Sequence, residues 1–269
     1  MKAYLAHVLA EQRRVGVTVQ QARPMSAPEL LQQVRYLRGS TGALRTVKER
    51  VGRSRDIALF VTAFHTGQRG LGLSHALAAQ VLGLPGGEGL IFNFHFGKTL
   101  RESSLAVVVR RNRACPELCP VRAVQEFAIV AKSMGWAPRG GYLFPQVETD
   151  GSKGTSPWNA HDMSMTLQRL VSAAGLSDGR NYCMHSFRVG GAVSQTLAGT
   201  AMDALMAMVG WKTRRIAQRY VGPQPTQQAD AVPRSGDWKA IPHGAEERYA
   251  ATDGLPLQAG FEDQFATFK

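Results

Sequence analysis

The chain has 269 residues, of which 44% are hydrophobic, enough to form the core of one sizeable domain. No apolar run approaches the roughly 18 residues that a membrane-spanning helix needs. The N-terminus lacks the apolar block of a signal peptide, and three cysteines give no disulfide framework. These features argue against a membrane-spanning or disulfide-rich secreted protein, and we expect an intracellular one.

The charge is strongly positive, with a formal net value of +12. Residues 1–222 contain 28 Lys and Arg against 13 Asp and Glu, whereas residues 223–269 contain 4 against 7. Most cations of the basic part are arginines, whose guanidinium group binds two phosphate oxygens at once. The charge therefore fits a nucleic-acid-binding protein, but it fits equally well a ribosomal protein, a protein of membrane surfaces or a soluble protein without such partners.

In chain order, the first part of the sequence predicts helices. Residues 2–15 have a helical pattern, and Ser26 with Glu29 has the spacing of a capping box at the start of a second helix. The segment "RSRDIALFVTAFHTG" predicts a buried helix that ends at Gly67.

The pattern changes after Gly83. The runs "LIFNFHF" and "LAVVVR" predict two strands joined by the hairpin loop "GKTLRESS". A helix follows at "PVRAVQEFAIVAKSMGW", then a loop over 135–157, then four helices. These are "AHDMSMTLQRLVSAAG", "HSFRVGGAVSQTLAG", "AMDALMAMVG" and "TRRIAQRYV". We therefore predict a mainly α fold with a small antiparallel β-sheet.

Caps are also predicted for the last two helices, by Thr200 with Asp203 in a capping box and by Thr213. From Gly222 onward, prolines and glycines predict a loose tail, whose end "FEDQFATF" is a candidate docking helix.

The segment "HSFRVGGA" places His185 and Arg188 on one face of a helix and follows them with two glycines. Such a pair is usually an ordinary surface feature, so partners elsewhere in the chain decide its meaning. The candidates, in chain order, are Arg69 on a turn after a helix, Lys98 at the hairpin tip, Trp211 at a helix boundary and Tyr220. Each of them alone fits a solvated charge or a packed ring.

Together, the order of these residues resembles the catalytic set of the tyrosine recombinase (phage-integrase) family, most closely its Cre-type and Crypton-type branches. The set comprises Arg69, Lys98, His185, Arg188, Trp211 and Tyr220. The resemblance covers residues 24–222 and implies a tyrosine recombinase catalytic domain there. Residues 1–23 then read as the last helix and linker of a truncated core-binding domain, and 223–269 as a C-terminal tail.

The resemblance implies a site-specific recombinase or integrase of a mobile element, with double-stranded DNA as its partner. Tyr220 would attack a backbone phosphodiester and form a 3′-phosphotyrosine link, without metal, cofactor or ATP. Arg69 and Arg188 would bind the non-bridging oxygens, with hydrogen bonds from His185 and Trp211, and Lys98 would protonate the departing 5′-oxygen. A homotetramer on DNA, assembled through the tail, is implied as well.

Further cations are candidates for DNA contact. One group lies at and just after the end of the second predicted strand: Arg110, Arg111 and Arg113. A second group precedes the tyrosine: Lys212, Arg214 and Arg215. For the second group, DNA contact and plain solvation fit equally well. The C-x₃-C pair of Cys115 and Cys119 has no second pair nearby, so we do not predict a zinc site.

Two departures from the family pattern keep other functions open. The family usually has an acidic residue three positions after the first arginine, where this chain has Gly72, and only 23 residues precede the match. A DNA-binding remnant with weakened or no catalysis, from a degenerate or domesticated mobile-element recombinase, is therefore one alternative. A type IB topoisomerase-like relaxing activity is another, because its chemistry is the same.

Overall fold

The computed structural model describes residues 22–39, 46–97, 104–137, 140–176 and 179–221. The predicted helix at 2–15, Lys98 with the tip of the hairpin, and the tail from 222 with its candidate docking helix lie outside these residues. The domain boundaries at 23/24 and 222/223 therefore stay predictions.

The described part of the chain is mainly helical, as the sequence predicts. Its α-helices are Ala27–Gly39 (α1), Val47–Thr66 (α2), Gly70–Ser74 (α3), Pro120–Ser133 (α4), Ala160–Ala173 (α5), Met184–Leu197 (α6), Met202–Val209 (α7) and Arg214–Val221 (α8). None of them is both long enough and apolar enough to cross a membrane.

The predicted start of α1 and the predicted end of α2 are confirmed. The Ser26 backbone N–H donates to the Glu29 carboxylate (2.8 Å), and the Glu29 N–H donates back to the Ser26 hydroxyl (3.4 Å). Gly67 ends α2 with a positive φ of 60°, a conformation that glycine adopts without strain.

The predicted caps of the last two helices differ in outcome. The Thr213 hydroxyl accepts from the Ile216 N–H (3.4 Å), as expected for α8. The capping box at Thr200 is wrong, because α7 has Ala201 as its N-cap. The Thr200 hydroxyl bonds instead to the Gln195 side chain (2.8 Å) at the end of α6.

The predicted hairpin is part of a three-stranded antiparallel sheet with strand order β1-β2-β3. The strands are Val81–Gly83 (β1), Gly89–Phe94 (β2) and Leu105–Arg110 (β3). In β2, Leu90, Phe92 and Phe94 are buried, and the intervening residues are only partly buried. This alternation fits a sheet with one face on the core.

The predicted loop over 135–157 is wrong in part, since it contains a second hairpin. Pro145–Val147 (β4) pairs with Lys153–Pro157 (β5) in antiparallel fashion. Strands of three and five polar or mixed residues are too short to show a periodic pattern. The sequence therefore gave no signal of them beyond the turn glycine Gly151.

Helix α2 forms the centre of the core. All residues from Arg55 to Thr66 except His65 are buried, because α1, α4 and α6 all pack against this helix. The buried Arg55 pairs with Asp56 (2.8 Å), donates to the Pro145 carbonyl (3.0 Å) and stacks on the Trp158 ring (3.6 Å). These contacts hold the second hairpin against α2.

The two glycines of "HSFRVGGA" allow close packing of the protein on itself. A Cβ atom at Gly190 would lie 1.7 Å from the Met25 carbonyl oxygen, and one at Gly191 would lie 2.1 Å from that of Phe64. Any larger residue would collide with backbone. Helix α6 is therefore fixed against the end of α2 and the segment that enters α1, which sets the position of His185 and Arg188.

Candidate active site

Five of the six candidate catalytic residues converge on one region of the described structure. His185 and Arg188 lie on the first turns of α6, Arg69 lies directly before α3, and Trp211 and Tyr220 lie before and near the end of α8. Lys98 is outside the described residues.

Arg188 is the most deeply buried residue of this group, with 1% of its surface exposed. Its Nη1 donates to the Gly67 carbonyl (2.7 Å) and the Val209 carbonyl (3.1 Å). These carbonyls are at the C-terminal ends of α2 and α7, where backbone acceptors lack partners within the helix and a positive charge is favourable. One nitrogen of Arg188 thus connects three helices.

The opposite side of the Arg188 guanidinium offers further hydrogen-bond donors. Within the part of the chain that the structure describes, Nε and Nη2 of Arg188 and Nε1 of Trp211 are buried and have no acceptor in hydrogen-bonding geometry. Leaving a buried donor unpaired costs about 1–3 kcal/mol. An acceptor-rich ligand next to Arg188 and Trp211 would relieve this cost.

Tyr220 packs directly on these residues. Its ring stacks on Trp211 with a centroid distance of 4.8 Å and lies 5.5 Å from the His185 ring. The carbon of the Arg188 guanidinium is 5.3 Å from the Trp211 ring centre and 5.8 Å from that of Tyr220. The phenol is therefore beside the buried cation and only partly buried.

The electrostatics of the group are those of a cationic site. Burial, and after it the charge of Arg69, lowers the pKa of Arg188 to about 10, while Tyr220 acts in the opposite direction. Burial is also the main cause that lowers the pKa of His185, followed by the charges of Arg188 and Arg69. At neutral pH, Arg188 is therefore charged and His185 is neutral.

Helix starts meet at this place because small residues allow it. A Cβ atom at Gly70 would lie 3.0 Å from the Cβ of Met184 and 3.3 Å from that of Ala160. These are the first residues of α3, α6 and α5, respectively. The partial positive charge at the starts of the two long helices, α5 and α6, adds to that of the arginines.

Gly72, where the family usually has an acidic residue, is buried, but its Cβ position has no contact closer than van der Waals distance. A Cβ atom there would lie 3.4 Å from the Phe96 carbonyl oxygen and 3.9 Å from the Gln68 amide oxygen. Gln68 is only 7% exposed. Sequence reasoning missed this buried amide, and its position directly before Arg69 was the only signal.

The first group of DNA-binding candidates does not join the cluster. In the β2–β3 ladder, Arg110 pairs with Gly89 at the end opposite the hairpin loop. Arg111 donates to the Gly87 carbonyl (2.9 Å), and Arg113 forms an ion pair with Glu88. Arg111 and Arg113 therefore stabilise the β1–β2 connection.

The second group lies closer to the cluster, because it precedes Tyr220 in and before α8. Lys212 and Arg215 are exposed. Arg214 is paired with Asp203 (2.9 Å), an exposed carboxylate of α7. Among the described residues, no three His, Cys, Asp or Glu side chains lie close enough together to hold a metal ion.

No protein-family model matches the sequence, and no curated protein matches it in sequence. Solved structures match its fold. The XerH site-specific recombinase, bound to palindromic difH substrate in a post-cleavage complex, has a TM-score of 0.54 at 14% identity, covering 80% of this chain and 55% of that one.

Two further structures agree with this match. The XerA recombinase has a TM-score of 0.55 at 16% identity, covering 81% of this chain and 66% of that one. A lambda integrase dimer bound to a COC′ core site has a TM-score of 0.50 at 17% identity, covering 77% and 51%. The chain spans between half and two thirds of the length of these proteins. Its described residues have the fold of the tyrosine recombinase catalytic domain.

Proposed function

We propose that this protein is a site-specific recombinase that cleaves and rejoins double-stranded DNA through a covalent bond to Tyr220. The observation that carries the proposal is the buried guanidinium of Arg188, directly beside the Tyr220 phenol, with two donor nitrogens that have no acceptor among the described residues. A phosphodiester is an anion with several acceptor oxygens, so it fits these donors.

The proposed reaction uses each residue of the cluster. The Tyr220 oxygen gives its proton to water and attacks the phosphorus. The bond from phosphorus to the 5′-oxygen breaks, and that oxygen takes up a proton from the Lys98 ammonium. Arg69 and Arg188 neutralise the charge that spreads over the non-bridging oxygens, and His185 and Trp211 donate hydrogen bonds to them. The phosphate stays on the enzyme as a 3′-phosphotyrosine.

The reverse reaction completes recombination. A 5′-hydroxyl from another strand gives its proton to the Lys98 amine and attacks the phosphotyrosine. The bond from phosphorus to the Tyr220 oxygen breaks, and the phenolate takes up a proton from water. The number of phosphodiester bonds is the same before and after, so the cycle uses no ATP. As the resemblance implies, we propose that the protein acts as a tetramer on DNA without a metal or another cofactor.

The test is capture of the covalent adduct. Purified protein is incubated with a pool of nicked duplexes of randomised sequence, from which a short 5′-hydroxyl fragment diffuses away after cleavage. We expect an adduct that survives denaturation in SDS, and sequencing of its DNA gives the preferred site. Tyr220→Phe should abolish the adduct, whereas Tyr36→Phe, a change on α1, should leave it unchanged. An adduct that persists in Tyr220→Phe would refute the assignment of the nucleophile.

A second function is favoured by Gly72. No carboxylate follows Arg69 in the sequence before Glu88, so Arg69 lacks the acidic neighbour of the family. A protein that binds DNA at this site without cleaving it would show salt-dependent binding and no adduct with any member of the pool.

A further inference from the structure

An exposed aromatic pair lies next to the candidate active site. The Phe96 ring is 46% exposed and stacks on the His75 ring at a centroid distance of 3.9 Å and an angle of 16°. Exposed large apolar side chains are normally isolated from one another. Here a second one, Leu71, is 43% exposed and precedes His75 by one helical turn. We call Leu71, His75 and Phe96 the aromatic platform.

The platform is held in place from below. His75 Nδ1 lies 2.9 Å from the Ser74 hydroxyl and 3.1 Å from the Leu71 carbonyl oxygen, and Tyr142 contacts the edge of its ring. These contacts fix the plane of the imidazole, and the imidazole fixes the plane of Phe96. The exposed face of Phe96 is therefore a rigid apolar surface.

The sequence ties this surface to the proposed phosphate site. Leu71 follows Arg69 by two residues, and Phe96 precedes Lys98 by two residues. The two segments also contact each other, since the Phe96 carbonyl oxygen lies 3.4 Å from the Cβ position of Gly72. The stretches 69–87 and 89–101 contain no acidic residue, so neither of them repels a polyanion.

On this basis, which depends on the proposed function, we infer that the aromatic platform stacks on a nucleobase of the cleaved DNA strand, close to the phosphate that Tyr220 attacks. Every base has a flat apolar face, and aromatic side chains bind such faces with little regard to sequence. The site would then combine charge for the phosphate with stacking for the adjacent base. This combination would hold the strand while its end is free for exchange.

The test is a cycle that removes the ring and the base separately. Binding of the Tyr220→Phe protein to the site from the adduct selection is measured with intact DNA and with abasic sites at each of the three positions on either side of the cleaved phosphate. We expect Phe96→Ala to weaken binding about tenfold with no change in its salt dependence, because no charge is removed. One abasic position should weaken binding by a similar factor and have no further effect in Phe96→Ala.

Matched variants separate stacking from folding. Phe96→Tyr keeps the ring and should bind like the parent protein, and Ile129→Ala, which removes another exposed apolar side chain on α4, should also have no effect. Binding by Phe96→Ala equal to that by Ile129→Ala, or losses that add at every abasic position, would overturn the inference. So would a change in self-association at unaltered DNA affinity, which would show that the platform contacts a second copy.

Failure of the proposed function looks different from failure of this inference. If no adduct forms in any pool but DNA binding depends on Phe96, the cleavage assignment fails and the cycle is run on a site selected by binding. If the adduct forms and Phe96→Ala changes nothing, only the platform is refuted.

Discussion

The two arginines of the candidate site are held in different ways. Arg188 is enclosed by the ends of α2 and α7 and makes two hydrogen bonds to their carbonyls. Arg69 is only partly buried at the start of the five-residue helix α3, and its own side chain forms no cap there. One half of the site is thus part of the core, and the other half lies on short segments.

This difference separates stability from catalysis. A residue that connects three helices contributes to folding as well as to any ligand that it binds. A residue at the edge of the core contributes to the ligand alone. Substitutions in the two halves should therefore give different combinations of unfolding free energy and cleavage.

The largest effect is expected for Arg188→Ala. It would leave the carbonyls of Gly67 and Val209 buried without a donor, so we expect the free energy of unfolding to fall by about 2–4 kcal/mol. Adduct formation should fall by about 100-fold or more, because a donor to the reacting phosphate is lost. Arg69→Ala should reduce adduct formation by a similar factor but change stability by less than about 0.5 kcal/mol. Urea unfolding and the adduct assay measure the two quantities.

Arg188→Lys is the matched control. The ammonium retains donors for the two carbonyls but lacks the planar fork that faces the ligand. We expect it to recover part of the stability and little of the cleavage. If Arg69→Ala destabilised the fold as much as Arg188→Ala, the contrast between the two halves would be wrong.

The sequence predicted which residues lie close together better than it predicted the atoms that hold them. The positions of His185, Arg188 and Tyr220 follow from side-chain types in a recognisable order. The partners of Arg188 are backbone carbonyls, which every residue has, so no letter of the sequence marks Gly67 or Val209 as acceptors. The two glycines after Arg188 allow another backbone to come close, but the sequence does not say which. In the structure it is the backbone of Met25 and that of Phe64 on α2.

Acceptors within the protein explain why other side chains differ from their predicted roles. Arg111, Arg113 and Arg214 were candidates for DNA contact because of their charge, but each is close to an acceptor of its own: the Gly87 carbonyl, Glu88 and Asp203. The same argument applies to Thr200, whose hydroxyl found the Gln195 side chain. A capping or charge motif indicates hydrogen-bond partners within the motif, whereas the folded chain also offers partners outside it.

A smaller effect is expected for pH, through His65 on α2. Partial burial lowers the pKa of His65 to about 4, although its Nε2 lies 2.9 Å from the Leu118 carbonyl oxygen. The unfolded chain binds this proton near pH 6.5, before the folded protein does, so stability is present above pH 6.5 and is lost as pH falls towards 4. We expect a loss of up to about 3 kcal/mol at pH 4.

The variant His65→Gln isolates this contribution, because the amide can donate to the same carbonyl and does not titrate in this range. Its free energy of unfolding should fall less between pH 7 and pH 4 than that of the parent protein. Identical pH profiles would show that burial of His65 does not couple folding to protonation.

The smallest effect is expected on the Arg69 side of the site, where Gly72→Asp would supply the carboxylate that the family usually has. The position is not strained, since Gly72 does not have a positive φ. The nearest atom to its Cβ position is 3.4 Å away. A carboxylate there would attract Arg69 and raise adduct formation a few-fold, equivalent to less than about 1.4 kcal/mol. Gly72→Asn is the neutral control of the same shape and should stay at the parent level. If both variants gave the same adduct yield, a carboxylate at position 72 would not be needed to orient Arg69.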